Sequence, residues 1–133
     1  MKRIITLIIV ATIILIFSRS GEQQVSAAPS FKYARDGQAS WYSRRDRGIN
    51  KRTASNEIFD DQDMTCAMWG VQFNRMVKVT NRANGKSVVL RVNDRGPHQR
   101  FIRQGRIIDL TKGAFERLST SRKGLIDVTV EFL

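Results

Sequence analysis

Two carboxylates stand where their surroundings suit chemistry. Asp94 lies in residues 92–97 (VNDRGP), where the alternating apolar residues Val88, Leu90 and Val92 stop and turn-forming residues take over. A carboxylate there sits at a strand end. Gly96 removes side-chain bulk and Pro97 stiffens the exit, so a ligand can come close. Such a mount suits general acid–base work, although an Asp in a turn can equally pair with Arg91 or Arg95 across it. Glu57 ends a run of small residues, Thr53, Ala54, Ser55 and Asn56, and by itself reads as a surface residue. Cys66 lies in an apolar stretch, residues 64–69, and reads as a buried inert thiol rather than a nucleophile. With one Cys and one His, His98, the chain can form no internal disulfide and assemble no metal site of familiar spacing.

The elements that must hold these residues are short. Residues 37–42 (GQASWY) alternate as a first strand, and neighbouring strand positions face opposite ways, so Trp41 and Tyr42 divide between the core and a surface or groove. Residues 43–63 form a long loop with five Arg or Lys, a length at which loops often carry function. Residues 64–70 are apolar and fit a helical turn or a buried strand. Residues 75–81 alternate cleanly, Asn84-Gly85 marks a turn, and residues 86–92 return, which predicts an antiparallel hairpin. Residues 106–110 form another strand, Thr111 caps a short helix over 112–118 with Ala114, Phe115 and Leu118 on its core face, and residues 127–132 close the chain as a strand. Many short strands and one or two short helices predict a mainly β fold, a small barrel.

Lys2 and Arg3 precede an uncharged, largely apolar run over residues 4–17, and small residues follow at Ala27 and Ala28. The run is shorter than the ~20 residues a membrane span needs, so residues 1–28 read as a secretory signal peptide, with an uncleaved anchor as the competing reading. Residues 29–36 read as a linker and residues 37–133 as the folded domain. No Cys lies near the junction, so a lipid-modified N-terminus is not expected. The leader holds Lys2, Arg3, Arg19 and Glu22, so removing it lowers the net charge from +11 only to +9. A strongly basic domain attracts polyanions. In the cytoplasm that suggests nucleic acid; an exported domain meets cell-wall glycans instead, and glycan with free muramic acid carboxylates is a match.

In order and spacing, residues 37–42 (GQASWY), 53–57 (TASNE), 77–81 (VKVTN) with Asn84-Gly85, 92–97 (VNDRGP) and 106–110 (RIIDL) resemble the rare lipoprotein A (RlpA) family. The resemblance spans residues 37–132. It implies a six-stranded double-psi β-barrel with one or two short helices, related in fold to expansins, barwin-like proteins and family 45 endoglucanases. It implies an endolytic peptidoglycan transglycosylase, a lyase that cuts between N-acetylmuramic acid and N-acetylglucosamine without water and leaves a 1,6-anhydro sugar. Asp94 matches the family's catalytic Asp and Glu57 the Glu of its Thr-Ala-Ser-Gly-Glu motif, whose Gly is Asn56 here. Two carboxylates in one cleft would keep a proton on one of them. Trp41, Tyr42, Ser55, Asn93 and Arg95 are the candidate substrate contacts. No cofactor, no nucleic acid partner and no lasting membrane span are expected, and the domain is expected to act as a monomer. The sequence departs from the family at Met68, where an active-site His is usual; a thioether cannot donate a proton, so a non-catalytic, expansin-like glycan-binding module is the alternative. His98 is the nearest imidazole in sequence. The chain ends with its last strand, leaving no segment for the peptidoglycan-binding domain of longer members.

Overall fold

Each stretch with a two-residue apolar period forms a strand in the computed structural model, which describes residues 33–133. The expected leader and cleavage site lie outside the described residues. The strands are β1 (Ala34–Tyr42), β2 (Thr65–Ala67), β3 (Met76–Asn81), β4 (Ser87–Asp94), β5 (Arg106–Thr111) and β6 (Leu125–Phe132). They close into a barrel in the order β1-β5-β2-β4-β3-β6. The pairs β1–β5 and β2–β4 run parallel and the remaining four antiparallel, the mixed pattern of a double-psi barrel.

The interior is filled by the inward half of each alternation: Ala39, Cys66, Val77, Val79, Leu90, Val92, Ile108, Leu110, Val128 and Val130 are fully buried. Helix α2 (Lys112–Glu116) adds Ala114 and Phe115, and Leu118 follows it into the same core. Thr111 caps this helix as expected, its Oγ1 accepting from the Ala114 amide at 3.4 Å. The β3–β4 hairpin forms with Gly85 at φ +73°, and Asn81 and Asn84 both donate to the Leu118 carbonyl, at 3.0 and 2.9 Å, tying the turn to the residues after α2.

The barrel departs from the sequence reading, or decides between its alternatives, in three places. β1 begins at Ala34, within the expected linker, because Ala34 to Asp36 pair with residues 129–131 of β6. Of the two readings open for residues 64–70, the buried strand forms, three residues long, as β2 between β4 and β5. A four-residue helix, α1 (Gln99–Ile102), follows the Asp94 corner, capped by His98 Nδ1, which accepts from the Arg100 amide at 3.3 Å.

Candidate functional site

Strict alternation along β4 would turn Asp94 inward beside Leu90 and Val92. A bulge prevents this. Cys66 pairs with Val92, but the next residue of β2, Ala67, pairs with Asp94, so Asn93 is the extra residue and the alternation restarts with Asp94 facing out. Ala67 also pairs with Asp109 of β5, and Asp109 with Ser40 of β1. Ser40, Asp109, Ala67 and Asp94 therefore lie side by side across four strands, with Tyr42 two positions beyond Ser40 on the same face. Ala67 lies between the two carboxylates and is covered by Gly96, where a Cβ would sit 3.2 Å from the Ala67 Cβ, so the groove opens beside it.

The surface around this row is a groove. One hollow of about 330 Å³ holds Tyr42, Ala67, Trp69, Asp94 and Asp109, with Pro97, His98 and Phe101 at its edge. A second, of about 270 Å³, is lined by residues of the long loop, among them Asn50, Arg52, Thr53 and Ala54. Ile49, Asp94 and Arg95 belong to both, so Asp94 stands where the two halves meet.

The carboxylates of the groove are held differently. Asp94 Oδ1 accepts from the Arg95 amide at 2.8 Å and from the Ala54 amide at 2.9 Å. Asp109 is more enclosed: Ser40 Oγ donates to its Oδ1, Arg106 Nη1 stands 4.0 Å away, and Gly96 closes over it so tightly that a Cβ there would sit 3.3 Å from Oδ2. Burial pushes the Asp109 carboxyl up from its ordinary pKa and the charge of Asp94 adds to this, against the hydrogen bond from Ser40 and the pull of Arg106. Tyr42 stacks on Phe59 with ring centroids 4.7 Å apart. Its hydroxyl is buried beside Asp94, whose carboxylate acts on it by charge and as an acceptor although no hydrogen bond of ordinary geometry joins them. Burial, then the charge of Asp94, raises that phenol far above its ordinary pKa, which keeps it a neutral donor.

Glu57 serves another arrangement. Its carboxylate takes a two-pronged pair from Arg91, at 2.6 and 2.8 Å, and a third bond from Asn93 Nδ2 at 3.0 Å. These bonds, that of Arg91 first, lower its pKa to about 2. The expectation that Glu57 repels Asp94 and so retains a proton on one of them is corrected: Arg91 neutralises Glu57, and the acid facing Asp94 is Asp109. Asn93 is likewise no substrate contact. It is 2% exposed, its Nδ2 donates to Glu57, and its Oδ1 is buried with no partner among the described residues. Ser55 does not line the groove either; its amide donates to the Asn93 carbonyl at 3.2 Å and its hydroxyl bonds Thr53 Oγ1 at 3.0 Å. Residues 53–57 thus clamp the bulge, and Asn56, at φ +70°, supplies the left-handed turn for which the resembled motif uses Gly.

Tyr42 and Arg95 line the groove as expected, the Arg95 side chain lying over Phe73 at 3.8 Å and donating to the Met68 carbonyl at 3.1 Å. Trp41 does not. It faces the other way, donates to the Ser121 carbonyl at 3.0 Å and packs against the core. The groove's exposed indole is Trp69, which sequence reasoning missed, 48% exposed and held by a 2.7 Å bond to the Pro97 carbonyl. Met68 also reverses expectation: with Cys66 it points into the core, 1% exposed, so the thioether is not in the groove. Burial raises the Cys66 thiol far above its ordinary pKa, in keeping with an inert core residue. Asp109 was passed over although a signal existed, a lone acid in an otherwise apolar strand, Ile107 to Leu110.

The sequence model of a family described as lytic transglycolase matches residues 34–130. A probable endolytic peptidoglycan transglycosylase RlpA of Nostoc sp. is 42% identical over 80% of this chain and 28% of its own length. The RlpA endolytic peptidoglycan transglycosylases of Rickettsia felis and Vibrio cholerae are each 40% identical over 76% of this chain, and over 43% and 36% of their own lengths. The chain thus spans less than half of these curated relatives. In three dimensions the barrel is similar to Streptomyces papain inhibitor, with a TM-score of 0.58 and 21% identity over 76% of this chain and 94% of that one. It is also similar to a Clavibacter michiganensis expansin, with a TM-score of 0.56 and 19% identity over 76% of this chain and 50% of that one.

Proposed function

The chain belongs to the lytic transglycolase family, and from that premise we propose that it is an exported endolytic transglycosylase of peptidoglycan, with Asp94 as its acid and base. The observation that carries this reading is the bulge at Asn93, which aims a carboxylate into the middle of a groove with room for sugars on both sides.

In the proposed reaction, protonated Asp94 gives its proton to the glycosidic oxygen as the bond from muramic acid C1 to that oxygen breaks. The resulting carboxylate then takes the proton of the C6 hydroxyl as O6 closes on C1. The products are a free glucosaminyl 4-hydroxyl and a 1,6-anhydro ring; no water is consumed and Asp94 ends protonated. Glu57 supports the reaction at a distance, through Asn93 and the bulge. Tyr42 and Arg95 line the sugar path, joined by Trp69, an indole face against which a sugar ring can pack. The basic charge favours glycan poor in stem peptides, whose lactyl carboxylates are free. Export is supported by the leader pattern and by the cell-wall substrate in the relatives' names; no described helix is long and apolar enough to cross a membrane. A monomer is proposed as the working form.

The test is mass spectrometry of products from peptidoglycan sacculi and from peptide-free glycan strands, with the wild-type protein and Asp94→Asn. Anhydro-muramic products that vanish in the variant are expected. Reducing-end products would replace the reading with hydrolysis, and retained pull-down on glycan without any soluble product would replace it with a binding module.

A further inference from the structure

We propose that the barrel carries a second glycan site, outside the groove, in which Arg35 and Arg75 take the carboxylate of an acidic sugar whose ring lies against Tyr33 and Phe132. The inference rests on the transglycosylase reading for one thing, that the glycan is peptidoglycan with free lactyl carboxylates.

The site is a hollow of about 270 Å³ between Tyr33 and Arg35 at the start of β1, Phe132 at the end of β6, and Gly70, Gln72 and Arg75 of the loop before β3. It shares no lining residue with either half of the groove. It exists because β1 starts early. The Phe132 amide donates to the Tyr33 carbonyl at 3.0 Å and Arg35 pairs with Val130, a core residue, so Tyr33, Arg35 and Phe132 share the face that further along becomes the barrel interior. At this end that face presents rings and charge.

The rings and the guanidinium are arranged in advance of any ligand. The Tyr33 and Phe132 ring centroids are 5.3 Å apart, and the Arg35 guanidinium lies 5.4 and 5.2 Å from them, its Nε donating to Tyr33 Oη at 3.2 Å. Its charge is not answered by an acid. Among the described residues neither Arg35 nor Arg75 is in an ion pair, whereas Arg91 is paired with Glu57 and Arg106 stands by Asp109. The acids nearest Arg35 on the two strands alternate to the opposite face: Asp36 accepts from Thr129 Oγ1 at 2.6 Å, and Glu131 pairs with Lys78 at 3.2 Å. Two cations brought to one hollow repel until an anion joins them, and a guanidinium fixed against rings presents the planar edge that a carboxylate fits.

Size and chemistry select the occupant. Ligand pockets run from about 300 Å³ upward, so a hollow at the small end takes one sugar unit rather than a length of strand. Tyr33, 61% exposed, and Phe132 offer ring faces to the C–H face of a sugar, which an inorganic anion would not use. The loop after β2 carries Trp69 into the groove and Gly70, Gln72 and Arg75 to the hollow, so the two sites are joined by one loop. A glycan contact there keeps the protein on its polymer between cuts.

The experiment is a nitrogen-15 NMR titration of the full chain with N-acetylmuramic acid, N-acetylglucosamine and inorganic phosphate. It is paired with sedimentation on peptide-free strands and with cleavage of short strands, for wild type, Arg75→Ala, Arg35→Lys and the double variant Arg35→Ala/Arg75→Ala. N-acetylmuramic acid is expected to shift the amides of Arg35, Gln72 and Phe132 saturably, with N-acetylglucosamine roughly tenfold weaker because it lacks the carboxylate. The double variant should abolish these shifts and weaken sedimentation by roughly three- to tenfold at low salt, with cleavage of short strands within about twofold of wild type. Arg35→Lys keeps the charge but loses the planar fork, and should bind the acid more weakly than wild type. Arg75→Ala removes a side chain with no hydrogen bond or ion pair among the described residues; it should lose part of the affinity, and it carries the test if the double variant does not fold. Shifts by the acid sugar that persist in the folded variants overturn the proposal, and so does inorganic phosphate that binds as tightly as the acid sugar. Saturable shifts in a protein that cleaves no glycan would overturn the transglycosylase reading and leave the second site intact; anhydro products with no shift at these amides would do the reverse.

Discussion

Glu57 and Asp109 are both acids tied to the corner that carries Asp94, and they are built in opposite ways. Glu57 is partly exposed and fully answered: a guanidinium and an amide consume its charge, and its pKa falls to about 2. Asp109 is enclosed and under-answered, with one hydroxyl, a single distant guanidinium nitrogen and a like charge nearby, so its pKa rises. The difference separates two jobs. A neutralised carboxylate holds backbone in place, here the bulge that aims Asp94; an enclosed, partly uncompensated carboxylate tends to keep its own proton.

The comparison can be broken most sharply at Asp94. Asp94→Asn should lower the yield of anhydro-muramic products by about 10²- to 10⁴-fold, the range of a general acid–base group, with pull-down on glycan retained. Glu57→Gln should act more mildly and in another manner. Loss of the two-pronged pair loosens the bulge, so kcat should fall on the order of tenfold without movement of the pH profile. The same variant tests linkage. Because folding lowers the Glu57 pKa to about 2, its stabilisation is present above the ordinary Glu value of about 4.3 and is lost as pH falls from there toward 2. The side chains of the pair are 33% and 37% exposed, so screening holds this contribution to about 1 kcal/mol or less. Denaturant melts between pH 5 and 2 should show a shallower acid loss in Glu57→Gln than in wild type.

Two further variants sharpen the contrast between the groove and the core. Met68→His places a polar ring where a fully buried thioether packs, and should destabilise the fold by about 1–3 kcal/mol, read as a fall of several degrees in the melting temperature. An unchanged melting temperature would mean that the side chain at 68 can reach the groove. Trp69→Ala should weaken glycan binding by roughly two- to tenfold in a sedimentation assay, with Trp41→Ala instead costing stability because its ring packs on the core.

Much of the fold was legible because its signals are local. Alternation at residues 77–79 and 88–92, Asn84-Gly85 and the Thr111 cap each act over a few residues, and each forms the expected element. Asp94 was legible for the same reason, as a carboxylate ending an apolar run at a Gly-Pro corner. The candidate substrate contacts fared unevenly: Tyr42 and Arg95 reach the groove, whereas Trp41, Ser55 and Asn93 do not.

By itself the sequence determined the strands, the hairpin, the capped helix and an acid at the strand-end corner of position 94. The tertiary structure alone decided which residues meet. The one-residue slip at Asn93 arises only when β4 pairs with β2, and it reverses the facing of Asp94 that alternation along β4 would predict. The strand order then sets Asp109, fifteen positions further along, beside Ala67, and delivers Arg91 rather than Asp94 to Glu57. A two-residue period specifies which side of its own strand a residue occupies; the charge facing it depends on register between strands distant in sequence, and that register exists only once the barrel has closed.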